Sequence, residues 1–220
     1  MEKFIIEGGV PLSGTVAPAG NKNGALPCLA ATVLTEDEVV LRNVPRIRDV
    51  EAMIELLEHL GATVRWLGDN DVAICAAGVT ADAEVDPEAA DRIRASFLLA
   101  GPLLARFGRA VMPAPGGDVI GRRRLDPHLD AFRALGTIDE TDDDGRITIL
   151  AGAAGSGGER RLKAGEVFMD EPSVMATENA LMAAALTPGE TRIGNAACEP
   201  HVVDLARLLV KMGADIRGIG

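Results

Sequence analysis

The chain has 220 residues, of which 47% are hydrophobic and 25% charged, a balance typical of a globular domain with a buried core. Its formal net charge is −11, and only 3% of its residues are aromatic. Nucleic acids select basic surfaces, and single strands also need aromatic rings for stacking, so this composition argues against a nucleic-acid-binding protein. It leaves phosphorylated small molecules open as ligands, because a local arginine cluster can bind phosphate within an acidic protein.

The cysteines and the apolar segments exclude several further classes. Cys28, Cys75 and Cys198 are widely separated and odd in number, so they predict free thiols and give neither a disulfide framework nor a zinc spacing. Residues 1–8 do not resemble a signal peptide, and no apolar run reaches the roughly 18 residues that a membrane span needs. We therefore expect a cytoplasmic protein with no membrane partner, no cofactor and no metal site.

Three helices along the chain share the same ending. Each has an apolar stripe and stops at a glycine, namely Gly61, Gly136 or Gly213, before a strand begins. Glycine suits this position because it adopts a positive φ without strain. Asp49 is predicted to cap the first of these helices, and Pro127 to open the second. Three matched contexts indicate an internal repeat, and its length indicates three-fold pseudosymmetry within one domain.

A second helix, rich in small apolar residues, precedes each of these amphipathic helices. The small-residue helices are predicted at residues 23–34, 92–107 and 173–186. Short strands are predicted at residues 39–41, 72–75, 146–150 and 191–193. Small side chains allow close packing, so these helices are expected inside, with the amphipathic helices around them.

Cationic residues near two helix starts are candidates for anion binding. Lys22 and Asn23 open the first small-residue helix, where a lysine adds its charge to free backbone N–H groups. Arg94 lies on the first turn of the second such helix, at a position that pseudosymmetry makes equivalent. Solvated surface residues are the alternative interpretation of both.

The third candidate is a loop rich in proline and glycine at residues 113–126. It carries Asp118 and is followed by Arg122, Arg123 and Arg124. Arginine side chains suit the oxygens of phosphate and diphosphate, whereas a surface turn is the alternative. The histidines His59, His128 and His201 show no catalytic spacing and are interpreted as surface or capping residues.

At these residues the chain resembles the UDP-N-acetylglucosamine 1-carboxyvinyltransferases. The matching stretches are residues 4–8, 19–27, 94–107, 115–128, 173–185 and 195–204. The resemblance implies an enolpyruvyl-transferase-type, inside-out α/β domain of three pseudosymmetric βαβαββ units. Relatives are about twice as long and contain two such domains, so the chain is expected to be an incomplete half.

The family architecture also implies domain boundaries. Residues 1–21 would form a strand and crossover that belong to a second domain, which is absent from this chain. Residues 22–220 would form the UDP-sugar-binding domain, with repeats at about 22–80, 81–155 and 156–220.

The family reaction transfers the enolpyruvyl group of phosphoenolpyruvate to the 3-hydroxyl of UDP-N-acetylglucosamine and releases phosphate, the first committed step of peptidoglycan precursor synthesis. By resemblance, Lys22 and Asn23 would hold phosphoenolpyruvate and the sugar, and Arg94 would contact the UDP-sugar. The residues implied for the diphosphate and uridine are Arg123, Arg124, Leu125, Asp126 and Pro127. Those implied for further nucleotide contacts are Glu171, Pro172, Ser173 and Val174.

Asp118 occupies the position of the family's general acid. Most relatives have there a cysteine that fosfomycin alkylates, and a minority carry aspartate and resist it. An aspartic acid is largely ionised at pH 7 and so donates a proton poorly. We therefore expect Asp118 to become a competent acid only in the closed, substrate-loaded site, where bound phosphoenolpyruvate neutralises the nearby arginines and water is excluded.

Two alternatives stay open on the sequence. The shikimate-pathway enolpyruvyl transferase shares the fold, although residues 20–24 and 116–121 match the UDP-sugar branch better. A non-catalytic UDP-sugar-binding module is the other alternative. In the family, the base for the sugar hydroxyl and several phosphoenolpyruvate-binding arginines lie in the second half, so the 220-residue chain alone is expected to be inactive.

Overall fold

The computed structural model describes residues 3–116, 124–154 and 159–220. Its first part is a pair of helices with a three-stranded sheet. The elements are α1 (Lys22–Ala31), a 3₁₀ helix (Thr32–Leu34), β1 (Val39–Leu41), α2 (Arg48–His59), β2 (Thr63–Trp66) and β3 (Val72–Cys75). The sheet is antiparallel with the order β1-β3-β2, so that Ile74 of the central strand pairs with Val39 and Val64.

The second part repeats this arrangement. Its elements are α3 (Pro87–Arg92), a 3₁₀ helix (Arg94–Leu99), α4 (Ala100–Phe107), β4 (Arg109–Met112), α5 (Asp126–Ala134), β5 (Thr137–Thr141) and β6 (Ile147–Ala151). The antiparallel sheet again places its last strand in the centre, in the order β4-β6-β5. The common order supports the predicted repeat.

The third part has the same helix pair with a smaller sheet. Its elements are β7 (Ala153–Ala154), β8 (Glu159–Arg160), β9 (Glu166–Phe168), α6 (Val174–Ala185), β10 (Arg192–Gly194) and α7 (Pro200–Lys211). β7 pairs antiparallel with β8, and β9 pairs parallel with β10. The mixture of helices and strands confirms the predicted α/β class.

The small-residue helices form the centre of the core. Leu29 and Ala30 of α1, Leu104 of α4, and Ala180 and Met182 of α6 are all fully buried. The 3₁₀ helix Arg94–Leu99 contacts both α1 and α6, and α4 packs along α6. The amphipathic helices α2, α5 and α7 pack against these helices from outside, as the sequence predicted.

The three predicted glycine stops are confirmed, but the strand predicted after Gly213 is not present in residues 214–220. Gly61, Gly136 and Gly213 have φ values of 106°, 86° and 109°, which side chains with a Cβ rarely adopt. At Gly61 a Cβ would also lie 2.6 Å from the carbonyl oxygen of Gly78. The chain can therefore turn directly from each outer helix into the next segment.

The helix predicted at residues 92–107 is interrupted. Ile93 is extended (φ −141°, ψ 133°), and the chain then forms the 3₁₀ helix before α4 begins at Ala100. Pro102 explains why α4 starts so late, since its ring has no N–H and would clash with the carbonyl of Leu98 in a longer regular helix. Arg94 thus opens a tight 3₁₀ segment instead of an α-helix.

Residues 3–20 form neither helix nor strand and lie largely exposed. Among the described residues, no helix has the length and apolarity to cross a membrane.

Candidate functional site

The start of α1 carries the first pair of predicted site residues. The Asn21 side chain caps the helix, because its Oδ1 accepts hydrogen bonds from the backbone N–H groups of Asn23 (2.7 Å) and Gly24 (3.2 Å). Lys22 and Asn23 are both exposed. The Nζ of Lys22 forms an ion pair with Asp49 Oδ2 at 2.8 Å. This pairing across to α2 keeps the ammonium group beside the helix start, where the helix dipole also attracts anions.

Arg94 and Arg124 lie together at the beginnings of the 3₁₀ helix and α5. The Nη2 of Arg94 donates a hydrogen bond to the backbone oxygen of Arg124 at 3.3 Å. Arg124 in turn donates through Nε to Asp126 Oδ2 at 2.7 Å, and this hydrogen bond raises the pKa of Arg124. Half-buried Arg94 and exposed Arg124, 30 residues apart in sequence, thus lie on segments that the Arg94 guanidinium joins directly.

The start of α6 carries a further group of predicted site residues. Ser173 caps the helix through its Oγ, which accepts from Ala176 N at 3.4 Å. The negative charge of Glu171, two residues before Ser173, acts on Arg124 and contributes to its raised pKa after the hydrogen bond to Asp126. Pro172 and Val174 flank Ser173 in the same segment. Leu125 and Pro127 lie at the start of α5, which packs against α6. We call Arg94, Arg124–Pro127 and Glu171–Val174 the arginine cluster.

Two predicted site residues, Asp118 and Arg123, lie outside the described residues. The described part of their loop ends at Gly116, which packs against α3. Gly116 N donates to Ala90 O at 3.4 Å, and a Cβ at Gly116 would lie 1.8 Å from the carbonyl oxygen of Asp91. Glycine is thus required where this loop passes α3.

A buried polar network behind the cluster was not predicted from the sequence, and the interpretation of His128 as a surface or capping residue was wrong. His128 is only 3% exposed. Its Nδ1 lies 2.9 Å from Asn179 Nδ2, and its ring meets that of Phe97 edge-on with the centroids 5.0 Å apart. Burial, with the charge of Arg94 beside it, lowers the pKa of His128 to about 3. His128 lies on the same face of α5 as the buried Ala131 and Phe132. Its position on this apolar stripe is the sequence feature that could have predicted its burial.

Two further buried titratable groups, a glutamate and a cysteine, lie on α6 and α1. Glu178 of α6 is 2% exposed, and burial followed by the charge of Glu199 raises its pKa to about 8. Burial also raises the pKa of Cys28 of α1 to about 12, with added contributions from Asp204 and Glu178. At pH 7 both groups therefore carry their protons and add no charge to the core.

The arrangement is suited to binding a phosphorylated ligand. The helix start at Lys22 and the arginine cluster supply cationic side chains, and α1 packs against the 3₁₀ helix that begins with Arg94. Arginine and lysine at helix beginnings can neutralise phosphate oxygens while backbone N–H groups donate to them. Within the described segments, no group of three or more His, Cys, Asp or Glu side chains could hold a metal ion.

Comparison with known proteins identifies the family. A family profile described as EPSP synthase (3-phosphoshikimate 1-carboxyvinyltransferase) matches residues 6–220. The chain belongs to this family.

Among curated proteins, the chain is similar to UDP-N-acetylglucosamine 1-carboxyvinyltransferases. It is 53% identical to that of Bradyrhizobium diazoefficiens, where the match covers 99% of this chain and 48% of the relative. It is 47% identical to that of Treponema denticola, covering 100% of this chain and 49% of the relative. The resemblance inferred from the sequence is thereby confirmed, and the chain spans about half the length of these relatives.

Solved structures confirm the predicted enolpyruvyl-transferase-type fold. The enolpyruvyl transferase NikO from Streptomyces tendae superimposes with a TM-score of 0.80 at 26% identity, covering 97% of this chain and 48% of that one. An EPSP synthase from Acinetobacter baumannii gives a TM-score of 0.69 at 19% identity, with coverage of 94% and 45%. The second likeness bears on the fold alone.

Proposed function

We propose that this chain is the sugar-nucleotide-binding part of an enolpyruvyl transferase that acts on phosphoenolpyruvate and UDP-N-acetylglucosamine in the cytoplasm. The observation that carries the proposal is the arginine cluster, in which Arg94 bonds the backbone of Arg124 at 3.3 Å beside the start of α6. The similarity to UDP-N-acetylglucosamine 1-carboxyvinyltransferases, at 53% and 47% identity in the two relatives described above, supports the same substrate. In a bacterial cell this reaction would supply peptidoglycan synthesis.

The proposed roles follow from charge and position. Arg94, Arg124 and Arg123 would bind the diphosphate of the UDP-sugar, with Leu125, Asp126, Pro127 and the segment from Glu171 to Val174 around the nucleoside. Lys22 and Asn23 would hold phosphoenolpyruvate and the sugar at the start of α1. The negative side chain of Glu171 would repel a diphosphate. We therefore assign it either a contact to the nucleotide through its backbone or the role of partly neutralising the charge of Arg124.

In the proposed reaction Asp118 donates a proton to C3 of phosphoenolpyruvate, and the 3-hydroxyl oxygen of the sugar bonds to C2. The hydroxyl proton passes to a base outside this chain. Loss of a proton from C3 and cleavage of the bond between C2 and the phosphate oxygen then release phosphate and leave the enolpyruvyl ether of the sugar. Positioning and charge neutralisation by the cationic residues would lower the barrier to the addition step.

Ligand binding tests the substrate assignment. Isothermal titration calorimetry of the chain with UDP-N-acetylglucosamine should detect binding, and shikimate 3-phosphate should neither bind nor compete. Arg124→Ala should weaken binding roughly tenfold or more, since charge-assisted contacts to phosphate are among the strongest polar contacts. Arg65→Ala is the matched control, because Arg65 is also exposed and ion-paired, with Glu38. Binding of shikimate 3-phosphate in preference to the UDP-sugar would overturn the assignment.

Turnover tests the role of Asp118. In the whole protein, Asp118→Asn should abolish phosphate release, and Asp118→Cys should stay active and become sensitive to fosfomycin. Unchanged turnover of Asp118→Asn would remove this residue from the mechanism. The 220-residue chain alone should bind the UDP-sugar weakly without releasing phosphate, and phosphate release by the chain alone would refute the view that a second domain is needed.

We also propose that residues 1–21 belong structurally to that second domain. Phe4, Ile5 and Ile6 are 92%, 91% and 85% exposed, and a run of exposed large apolar side chains indicates a surface that another element covers. Limited proteolysis should cut the 220-residue chain first within this segment and should leave it intact in the whole protein.

A further inference from the structure

The Asn179 side chain joins three separate segments of the fold. Asn179 lies on α6 and is fully buried. Its Oδ1 accepts from Gly101 N at the start of α4 (2.9 Å), and its Nδ2 donates to Phe97 O of the 3₁₀ helix (3.0 Å). The same Nδ2 lies 2.9 Å from Nδ1 of His128 on α5. One amide therefore holds the two segments from which Arg94 and Arg124 extend.

Hydrogen-bond chemistry fixes the orientation of both side chains. The amide nitrogen of Asn179 has two N–H groups, and Phe97 O accepts one of them. The other therefore points at Nδ1 of His128, which must accept it and so carries no proton. His128 is thus a neutral imidazole whose proton resides on Nε2.

This network lies directly behind the arginine cluster. Phe97 follows Arg94 by three residues in a 3₁₀ helix, where residues i and i+3 lie one above the other. His128 lies in the first turn of α5, four residues after Arg124 and two after Asp126. Fixing the Phe97 carbonyl and the His128 ring relative to one amide therefore fixes the separation of Arg94 from the Arg124 turn.

The packing around Asn179 leaves no space for this geometry to vary. A Cβ at Gly101 would lie 2.7 Å from both the backbone oxygen and the Oδ1 of Asn179. A backbone approach this close requires glycine at position 101. The Phe97 ring also contacts the His128 ring edge-on, so two of the three partners of Asn179 also pack against each other.

We propose that Asn179 and His128 are positioning residues of the sugar-nucleotide site, which set the spacing between Arg94 and Arg124 and thereby the affinity for the nucleoside diphosphate portion of the substrate. The inference rests on the proposed function. Neither side chain is assigned a contact with the reacting atoms, so their loss should affect binding of the nucleotide more than the rate of the chemical step.

The test compares two substitutions at His128 in the whole protein. His128→Phe keeps a ring against Phe97 but removes the acceptor for Asn179, whereas His128→Asn places an amide oxygen near the position of Nδ1. His128→Phe should raise the KM for UDP-N-acetylglucosamine and the Kd for UDP roughly tenfold. The kcat should stay nearly unchanged, because the lost contacts to the nucleotide are equally strong in the bound substrate and in the transition state. His128→Asn should recover most of that loss. Asn179→Ser, which shortens the shared amide, should resemble His128→Phe and serves as the second variant if His128→Phe does not fold.

Thr32→Val is the matched control for a general loss of stability. Thr32 is also fully buried, and its Oγ1 donates to Leu29 O at 2.7 Å. It lies at the C-terminal end of α1, whereas the candidate site residues Lys22 and Asn23 lie at the N-terminal end. Thr32→Val should lower the melting temperature without changing the Kd for UDP. If wild type binds UDP and His128→Phe binds it equally well, or if Thr32→Val weakens binding as much as His128→Phe, the positioning role is overturned. If wild type does not bind UDP at all, the proposed function fails instead.

Discussion

Replacing Glu178 with glutamine should raise the stability of the chain at neutral pH, by an amount that grows as the pH rises toward 8. The carboxyl group is 2% exposed, and its Oε1 has no hydrogen-bond partner within the described part of the chain. Burial and the neighbouring Glu199 raise its pKa from 4.5 to about 8. In the unfolded chain the group ionises at its ordinary pKa, so the folded state must keep a proton that the unfolded state releases.

The sign and size of the effect follow from proton linkage. A raised pKa contributes stability that is fully present below pH 4.5 and is lost as the pH rises toward 8. The loss is about 1.4 kcal/mol per pH unit, or about 3 kcal/mol at pH 7 and about 5 kcal/mol above pH 8. Glutamine has no proton to release and escapes this loss. Any cost of burying its N–H groups, about 1–3 kcal/mol, is the same at every pH.

Urea denaturation at pH 5, 6, 7 and 8 measures the prediction. The difference in unfolding free energy between Glu178→Gln and wild type should grow by about 1.4 kcal/mol per pH unit in this range. Glu190→Gln, a substitution at an exposed glutamate, is the matched control and should give a flat difference. A flat difference for Glu178→Gln as well would refute the conclusion that Glu178 is buried and protonated at pH 7.

Three further predictions concern other buried positions. At pH 8 iodoacetamide should label exposed Cys198 well before Cys28, whose pKa burial raises to about 12, and equal labelling in peptide mass spectra would contradict this. Gly101→Ala should lower the unfolding free energy by about 1–3 kcal/mol through overpacking, whereas Gly24→Ala, whose Cβ would have only contacts of 3.8 Å and beyond, should leave the thermal midpoint nearly unchanged or slightly higher. Because the pKa of His128 falls from 6.5 to about 3 on folding, the contribution of this group to stability should be complete above pH 6.5 and decline by about 1.4 kcal/mol per pH unit below it, opposite in sign to that of Glu178. The difference in unfolding free energy between His128→Asn and wild type, from urea denaturation at pH 4, 5 and 6, should therefore shift toward the variant as the pH falls, and a difference independent of pH would contradict this.

Much of the fold could be predicted because its signals are local. The glycines that end α2 and α5 have positive φ as expected, since a helix stop depends on one residue and its neighbours. The strands at residues 39–41 and 72–75 have the predicted bounds. The sequence did not predict the break before α4. Pro102 disfavours a regular helix in the preceding turn, whereas the surrounding leucines and alanines favour one, and their preference dominates the pattern.

For the candidate site, the sequence supplied residue types but not distances. Lys22 and Asn23 were assigned to a helix start from their position alone, and the structure places them there. That Arg94 bonds the backbone of Arg124 depends on how two segments 30 residues apart pack. No pattern within either segment specifies that distance.

The sequence by itself determined the α/β class, the repeated helix pairs with their glycine ends, and the family, because each depends on residues near one another in the chain. Only the tertiary structure decided which polar groups are buried and what they contact. Asn179 and Gly101 are 78 residues apart in sequence yet 2.9 Å apart as acceptor and donor. Burial of His128 and Glu178 likewise follows from helices that pack from distant parts of the chain, and it is that packing which excludes water and shifts their protonation.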